Sequence, residues 1–181
     1  MLGRYGCDPS FTLNQWMLQH FRDTYGDVDV MLVIGDYVAH DVDPLRQDWT
    51  VYGYLKMLEN LNISLGLVQD FFPHIPLINV IGNNDSQMHD QAPNEDFKAH
   101  YFNELWYLWF KNIDSNAFMA KDELIYESFM YGGFYKVDLR DNLSILVLNS
   151  IYMEAENDTS YQREEAWNQL NWLEEELIQG K

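Results

Sequence analysis

Apolar positions along this chain fall into alternating helical and extended runs. Behind Ser10, a residue suited to capping, Leu13, Trp16, Met17, His20 and Phe21 recur at helical spacing, and Gly26 can end that helix. An apolar run of buried-strand type then occupies 28–34. A second helical stretch over 49–72 carries Leu55, Leu58, Leu61 or Asn62, Leu65 and Val68 or Gln69. Pro73 and Pro76 stop it before another strand-like run at 77–81. The order strand, helix, strand predicts parallel neighbours joined by a right-handed crossover.

Beyond this unit the polar segment 86–95 reads as a loop. Phe97, Tyr101, Leu105 and Leu108 mark a helix facing a core, with Trp106 and Trp109 beside it. From Phe129 the period changes to two: 134–139 and 143–148 flank the turn Arg140-Asp141-Asn142, a hairpin signature that Gly132 and Gly133 enter tightly. A last helix spans 160–179, with Ala166, Trp167, Leu170, Leu173 and Leu177 on one face and Gly180 at its end. These elements predict one α/β domain over 1–181.

Two of the apolar runs end in glycine-led turns. Val33-Ile34-Gly35-Asp36 closes the first and Val80-Ile81-Gly82-Asn83-Asn84-Asp85 the second. Each places an oxygen donor at the carboxyl end of a buried strand, where glycine lets the backbone turn sharply and approach an ion or a phosphate. Asp36 and Asn83 are therefore candidate metal contacts. The plainer alternatives are a turn or helix-cap aspartate and a left-handed turn asparagine.

A net charge of −18 disfavours a nucleic-acid coat and means that a phosphate substrate needs a local cation, which divalent metal ions supply. No apolar run is long enough to cross a membrane, and no signal core follows the first residues. Cys7, the single cysteine, is either a buried thiol or half of a bridge to sequence outside this chain. Asn-x-Ser/Thr triplets occur at Asn62, Asn84, Asn142 and Asn157. The one inside the second turn reads as coincidence, and the other three support a secretory or lysosomal route.

Several motifs now fall into register. Gly35-Asp36-Tyr37-Val38-Ala39-His40-Asp41, Gly82-Asn83-Asn84-Asp85, Gly132-Gly133-Phe134-Tyr135, Leu148-Asn149-Ser150 and Gln169-Leu170-Asn171-Trp172-Leu173 follow in order, behind the opening Gly3-Arg4-Tyr5-Gly6-Cys7-Asp8. In this pattern the chain resembles the acid sphingomyelinase-like phosphodiesterases and endopolyphosphatases, a branch of the calcineurin-like metallophosphoesterases. The resemblance implies a four-layer α/β/β/α sandwich with two divalent metal ions, usually zinc, at the ends of its central strands. It also implies a sandwich incomplete at both ends. The first Asp-x-His motif of that branch and its later His and Gly-His-x-His motifs have no counterpart in 1–181.

By the same resemblance Asp36 takes the place of the carboxylate that bridges the two ions, and Asn83 that of a neutral oxygen ligand. A bridging ligand is anionic because it holds two cations about 3.5 to 4 Å apart. His40 falls where the branch has a histidine facing the scissile phosphate, and Asp41 is a candidate to orient it. Asn84 stands where most relatives have the proton-donating histidine of Gly-Asn-His; it can donate a hydrogen bond but cannot pass a proton near neutral pH. Gly-Asn-Asn-Asp is also the endopolyphosphatase form, with a histidine a few residues on, which makes His89 a candidate donor. His20, His74 and His100 read as structural.

The implied activity is hydrolysis of a small phosphoester, a phospholipid head group or polyphosphate, in a secreted, lysosomal or vacuolar setting. Further segments, or a partner, would complete the sheet. The competing reading is a truncated or degenerate relative without catalysis, serving for binding or structure. A nucleotide-binding doubly wound fold is weaker, because no Gly-x-Gly-x-x-Gly or P-loop sequence exists.

Overall fold

The computed structural model describes residues 3–4, 6–40, 51–86, 88–154 and 159–180. Asp41, the start of the second predicted helix at 49–50 and Asn157 lie outside these residues.

Helix α1 (Phe11–Tyr25) begins where the sequence places it, with Ser10 Oγ accepting from Leu13 N and Gly26 at its end. Its predicted stripe is not its buried face. Leu18 is the residue that packs, against Leu67, Phe72 and Ile75, whereas Trp16 is 63% exposed and Phe21 and Met17 are also open. Strand β1 (Met31–Val33) is shorter than the predicted 28–34, and Leu32 and Ile34 are exposed. Helix α2 (Val51–Phe71) leads into strand β2 (Leu77–Asn79), which is buried throughout. The inward face of α2 is Tyr54, Met57, Leu61 and Leu65, one register away from the predicted Leu55, which faces solvent. As the strand, helix, strand order predicts, β1 and β2 are parallel, with Val33 opposite Asn79.

Helix α3 (Lys98–Trp106) continues into a π turn at Tyr107–Lys111. It presents Tyr101, Phe102, Leu105, Trp106, Trp109 and Phe110 to the core, so the aromatic stripe is packing. Helix α4 (Glu123–Gly132) was not foreseen; Asp122 caps it by accepting from Leu124 N and Ile125 N, and Gly133 ends it at φ +73°. Phe129 therefore belongs to a helix, where its fully buried ring meets Phe110 at 5.2 Å and Trp106, Trp109 and Tyr135 at 5.8 Å. The hairpin follows as β3 (Tyr135–Arg140) and β4 (Leu143–Val147), antiparallel with an irregularity between Asp138 and Arg140.

Helix α5 (Ser160–Gln179) has the predicted limits but an inverted face. Gln162, Glu165 and Gln169 are buried, while Trp167, Leu170, Leu177 and Ile178 are exposed. The reason is hydrogen bonding. Gln169 Oε1 accepts from Asn149 N and its Nε2 donates to Asn149 O at 3.1 Å, and Gln162 Nε2 donates to the carbonyls of Ile151 and Glu154. Lys98 Nζ meets Glu165 Oε1 at 2.8 Å. Among the described residues the partly buried segment after β4 has no sheet partner of its own, and Gln162 and Gln169 of α5 bond to its backbone.

Among the described residues the sheets are two pairs, β1–β2 and β3–β4. They are tied by a buried bond network: Tyr135 Oη donates to Asn79 O at 2.7 Å and accepts from Asn79 N at 3.0 Å, and Tyr37 Oη donates to Asn79 Oδ1. The fold is mixed α/β. No helix among the described residues is long and apolar enough to cross a membrane.

Candidate functional site

Because β1 and β2 run parallel side by side, the turns that follow them lie together. Gly35 adopts φ +92° and Asp36 φ +56°, a left-handed conformation that is rare outside glycine, asparagine and aspartate. The two turns touch backbone to backbone: a Cβ on Gly35 would lie 2.6 Å from Gly82 Cα. Asn84 N donates to Asp36 Oδ1 at 3.1 Å. Asp36 and the Asn83–Asn84 turn, forty-eight positions apart at this bond, thus converge. Asn83 uses Nδ2 to donate to Asp90 Oδ1 at 2.7 Å, and Asp90 N donates back to Asn83 O at 3.3 Å. With its nitrogen committed, Asn83 has its carbonyl oxygen as the donor suited to a cation.

Asp85 holds the two turns in place. It is fully buried; Oδ1 accepts from Val38 N at 3.0 Å and Oδ2 from Gly82 N at 3.1 Å, one bond to each turn. Burial pushes its carboxyl up to about 6, helped by the negative charge of Asp36, while the backbone N–H groups of Gly82, Val38 and Asp36 act against the rise. A folded value above the unfolded one means that the native chain binds this proton more tightly. Its contribution is therefore fully present below pH 4 and lost as pH rises through about 6, an effect of roughly 3 kcal/mol. Urea denaturation of the metal-free chain across that window, compared with Asp85→Asn, is expected to show a stability loss in the parent that the variant lacks. Parallel curves would contradict it.

The histidines come from both turns. His40 donates its backbone N to Asp8 Oδ2 at 2.9 Å, and its Nδ1 lies 2.8 Å from Asp8 Oδ1. His89 Nδ1 lies 2.9 Å from Asp90 Oδ2. The two rings approach with centroids 6.0 Å apart. Asn84 is buried beside them, which leaves no room for a glycan there. A cavity of about 400 Å³ opens over Asp36, His40 and Asn84, walled by Asp8, Phe11 and Ile63. No lysine or arginine lines it among the described residues. The structure thus brings together all five predicted residues, Asp36, Asn83, Asn84, His40 and His89. His20, His74 and His100 are exposed. Cys7 is exposed too, which rules out the buried-thiol alternative.

Three residues of this neighbourhood had no role in the sequence reading: Asp8, Asp85 and Asp90. Asp8 and Asp85 sit inside motifs quoted for the resemblance, so the signal was present without an assignment. Among the described residues it is Asp8, 32 positions upstream, that meets His40.

Comparison with known proteins gives the family. A family model described as calcineurin-like phosphoesterase matches residues 7–179. The chain belongs to the calcineurin-like phosphoesterase family. Members of this family generally depend on two metal ions. The phosphoesterase chain is 26% identical over 178 residues to sphingomyelin phosphodiesterase 1 of Caenorhabditis elegans, a match that covers 97% of this chain and 29% of that protein. It is 25% identical over 173 residues to the human cyclic GMP-AMP phosphodiesterase SMPDL3A, covering 94% and 35% respectively. It is 26% identical over 161 residues to the endopolyphosphatase of Schizosaccharomyces pombe, covering 84% and 25%. The chain therefore spans about a third or less of the length of these relatives.

Proposed function

We propose that this chain is the central part of a metal-dependent phosphoester or phosphoanhydride hydrolase, of the acid sphingomyelinase-like phosphodiesterase or endopolyphosphatase type. The observation that carries the reading is the contact between the two strand-end turns, with Asn84 N on Asp36 Oδ1, His40 lining the cleft beside them and the His89 ring 6.0 Å from that of His40. Asp36 supplies an exposed carboxylate, Asn83 an amide oxygen, and both are donors that a divalent cation accepts. These residues fit one edge of a two-ion site, zinc by resemblance, in a four-layer sandwich whose outer parts lie in further sequence.

When bound, such ions neutralise phosphoryl charge and activate water. The chain's own residues do the rest. Asn84 N keeps the Asp36 carboxylate aimed at the cleft, and Asp90 fixes the Asn83 amide by accepting from its nitrogen. His40 and His89 each engage a carboxylate through Nδ1, which leaves Nε2 of His40, the ring that lines the cleft, for proton exchange with a substrate oxygen, while Nε2 of His89 is buried. The exposed sequons at Asn62 and Asn142 support a secreted, lysosomal or vacuolar location.

One observation favours the second reading, a non-catalytic relative. Among the described residues no group of three or more His, Cys, Asp and Glu side chains is placed to hold an ion. Metal content and hydrolysis of bis(p-nitrophenyl) phosphate, measured for this chain and for a version extended at both ends, separate the two. Weak or no metal retention and turnover in this chain, restored by extension, supports the hydrolase; absence of both in the two forms alike supports the degenerate relative.

A further inference from the structure

We infer that Asp8 is the positioning residue of His40, one of two neighbouring imidazoles each held at Nδ1 by a carboxylate; this deepens the hydrolase reading and rests on it. Asp8 takes both handles of His40. One oxygen accepts from the backbone N at 2.9 Å and the other faces ring Nδ1 at 2.8 Å, so a single carboxylate fixes the main chain and the ring together. It can do so because it sits two residues before Ser10, the cap of α1, where that cap fixes the start of the helix.

The facing histidine repeats the device with a different chain path. His89 Nδ1 lies 2.9 Å from Asp90 Oδ2, while Asp90 Oδ1 accepts from Asn83 Nδ2, which links this ring to the second turn. His89 Nε2 is buried and meets no hydrogen-bond partner among the described residues. The two rings stand 6.0 Å apart at an interplanar angle of 63°. In a neutral ring, a proton on Nδ1 donated to a carboxylate puts the lone pair on Nε2. Free imidazole side chains favour the opposite tautomer, so the arrangement must be imposed by the protein.

Stability is a poor explanation for the Asp8–His40 pair. The side chains are 61% and 33% exposed for His40 and Asp8, and open pairs of this kind contribute little to folding. What the pair fixes is which nitrogen faces the cleft.

The test reads the tautomer directly and needs no turnover. Long-range proton–nitrogen correlation spectra of the 15N-labelled chain, taken at alkaline pH where imidazole is neutral, are expected to show His40 with a pyrrole-like Nδ1 and a pyridine-like Nε2. Asp8→Ala and Asp8→Asn are expected to shift His40 toward the Nε2–H form and leave His89 unchanged, with Asp8→Glu restoring part of the parent pattern. An Nε2–H His40 in the parent overturns the inference, and so does an Asp8→Ala spectrum identical to it. If Asp8→Ala does not fold, the parent spectrum and Asp8→Asn decide. Loss of the hydrolase reading, by absence of metal and turnover in the extended form, leaves this result intact.

Discussion

Replacing Gly82 with alanine is expected to destabilise the chain by about 3 kcal/mol or more, the upper range for forcing atoms into a filled space. The added Cβ would lie 2.2 Å from Asp36 N and 2.3 Å from Asp36 Oδ1. The first of these neighbours is backbone, in a residue already held left-handed at φ +56°, so it has no rotamer through which to withdraw. Gly35→Ala meets the mirror problem, 2.6 Å from Gly82 N and Cα, with the added strain of a side chain at φ +92°. Both variants should part the turns and break the bond from Asn84 N to Asp36. Gly66, inside α2 with nothing within 4 Å of its virtual Cβ, is the control; Gly66→Ala should be neutral or stabilising by up to about 1 kcal/mol. Urea midpoints of the three variants check the claim, and a Gly82→Ala midpoint equal to the parent's would refute the close approach.

Asp36→Asn is expected to leave the fold standing and remove the metal. The amide oxygen of asparagine can still accept from Asn84 N, and asparagine tolerates the left-handed conformation better than most residues. What disappears is the negative charge that a bridging position between two cations requires. In the extended form, metal analysis should therefore show loss of divalent ions. Hydrolysis should fall at least about a thousandfold, the scale of several kcal/mol of charge stabilisation. Unaltered zinc stoichiometry would end the bridging assignment. The contrast with Gly82→Ala is useful, because one variant loses stability and the other only the ion.

The turns were legible because glycine at the end of an apolar run has few other uses, and because Asp36 and Asn83 follow it directly. Element order was legible for similar local reasons: Ser10 and Gly26 bound α1, and Pro73 and Pro76 close α2. Buried faces were harder. In α5 the apolar residues Trp167, Leu170 and Leu177 form the obvious stripe, yet Gln162 and Gln169 face inward to satisfy the segment after β4, and Glu165 turns in to meet Lys98. Periodicity measures hydrophobicity and cannot see a backbone in need of hydrogen bonds. Helix α4 is only ten residues long, and its cap Asp122 and terminator Gly133 gain meaning only when read as a pair. Asp8 as a partner of His40 was out of reach for a different reason: it lies 32 positions upstream, and it is the fold that returns it to the ring.

Asn79 gives the molecule a mechanical property. Its side chain receives the Tyr37 hydroxyl, one residue past Asp36, and its peptide is bracketed by Tyr135 at the start of the hairpin. One amide thus joins the parallel pair, the antiparallel pair and the segment bearing the candidate ligand. Loosening the hairpin is therefore expected to disturb the cleft, so that the two melt together; separate thermal transitions of hairpin and cleft probes would contradict this.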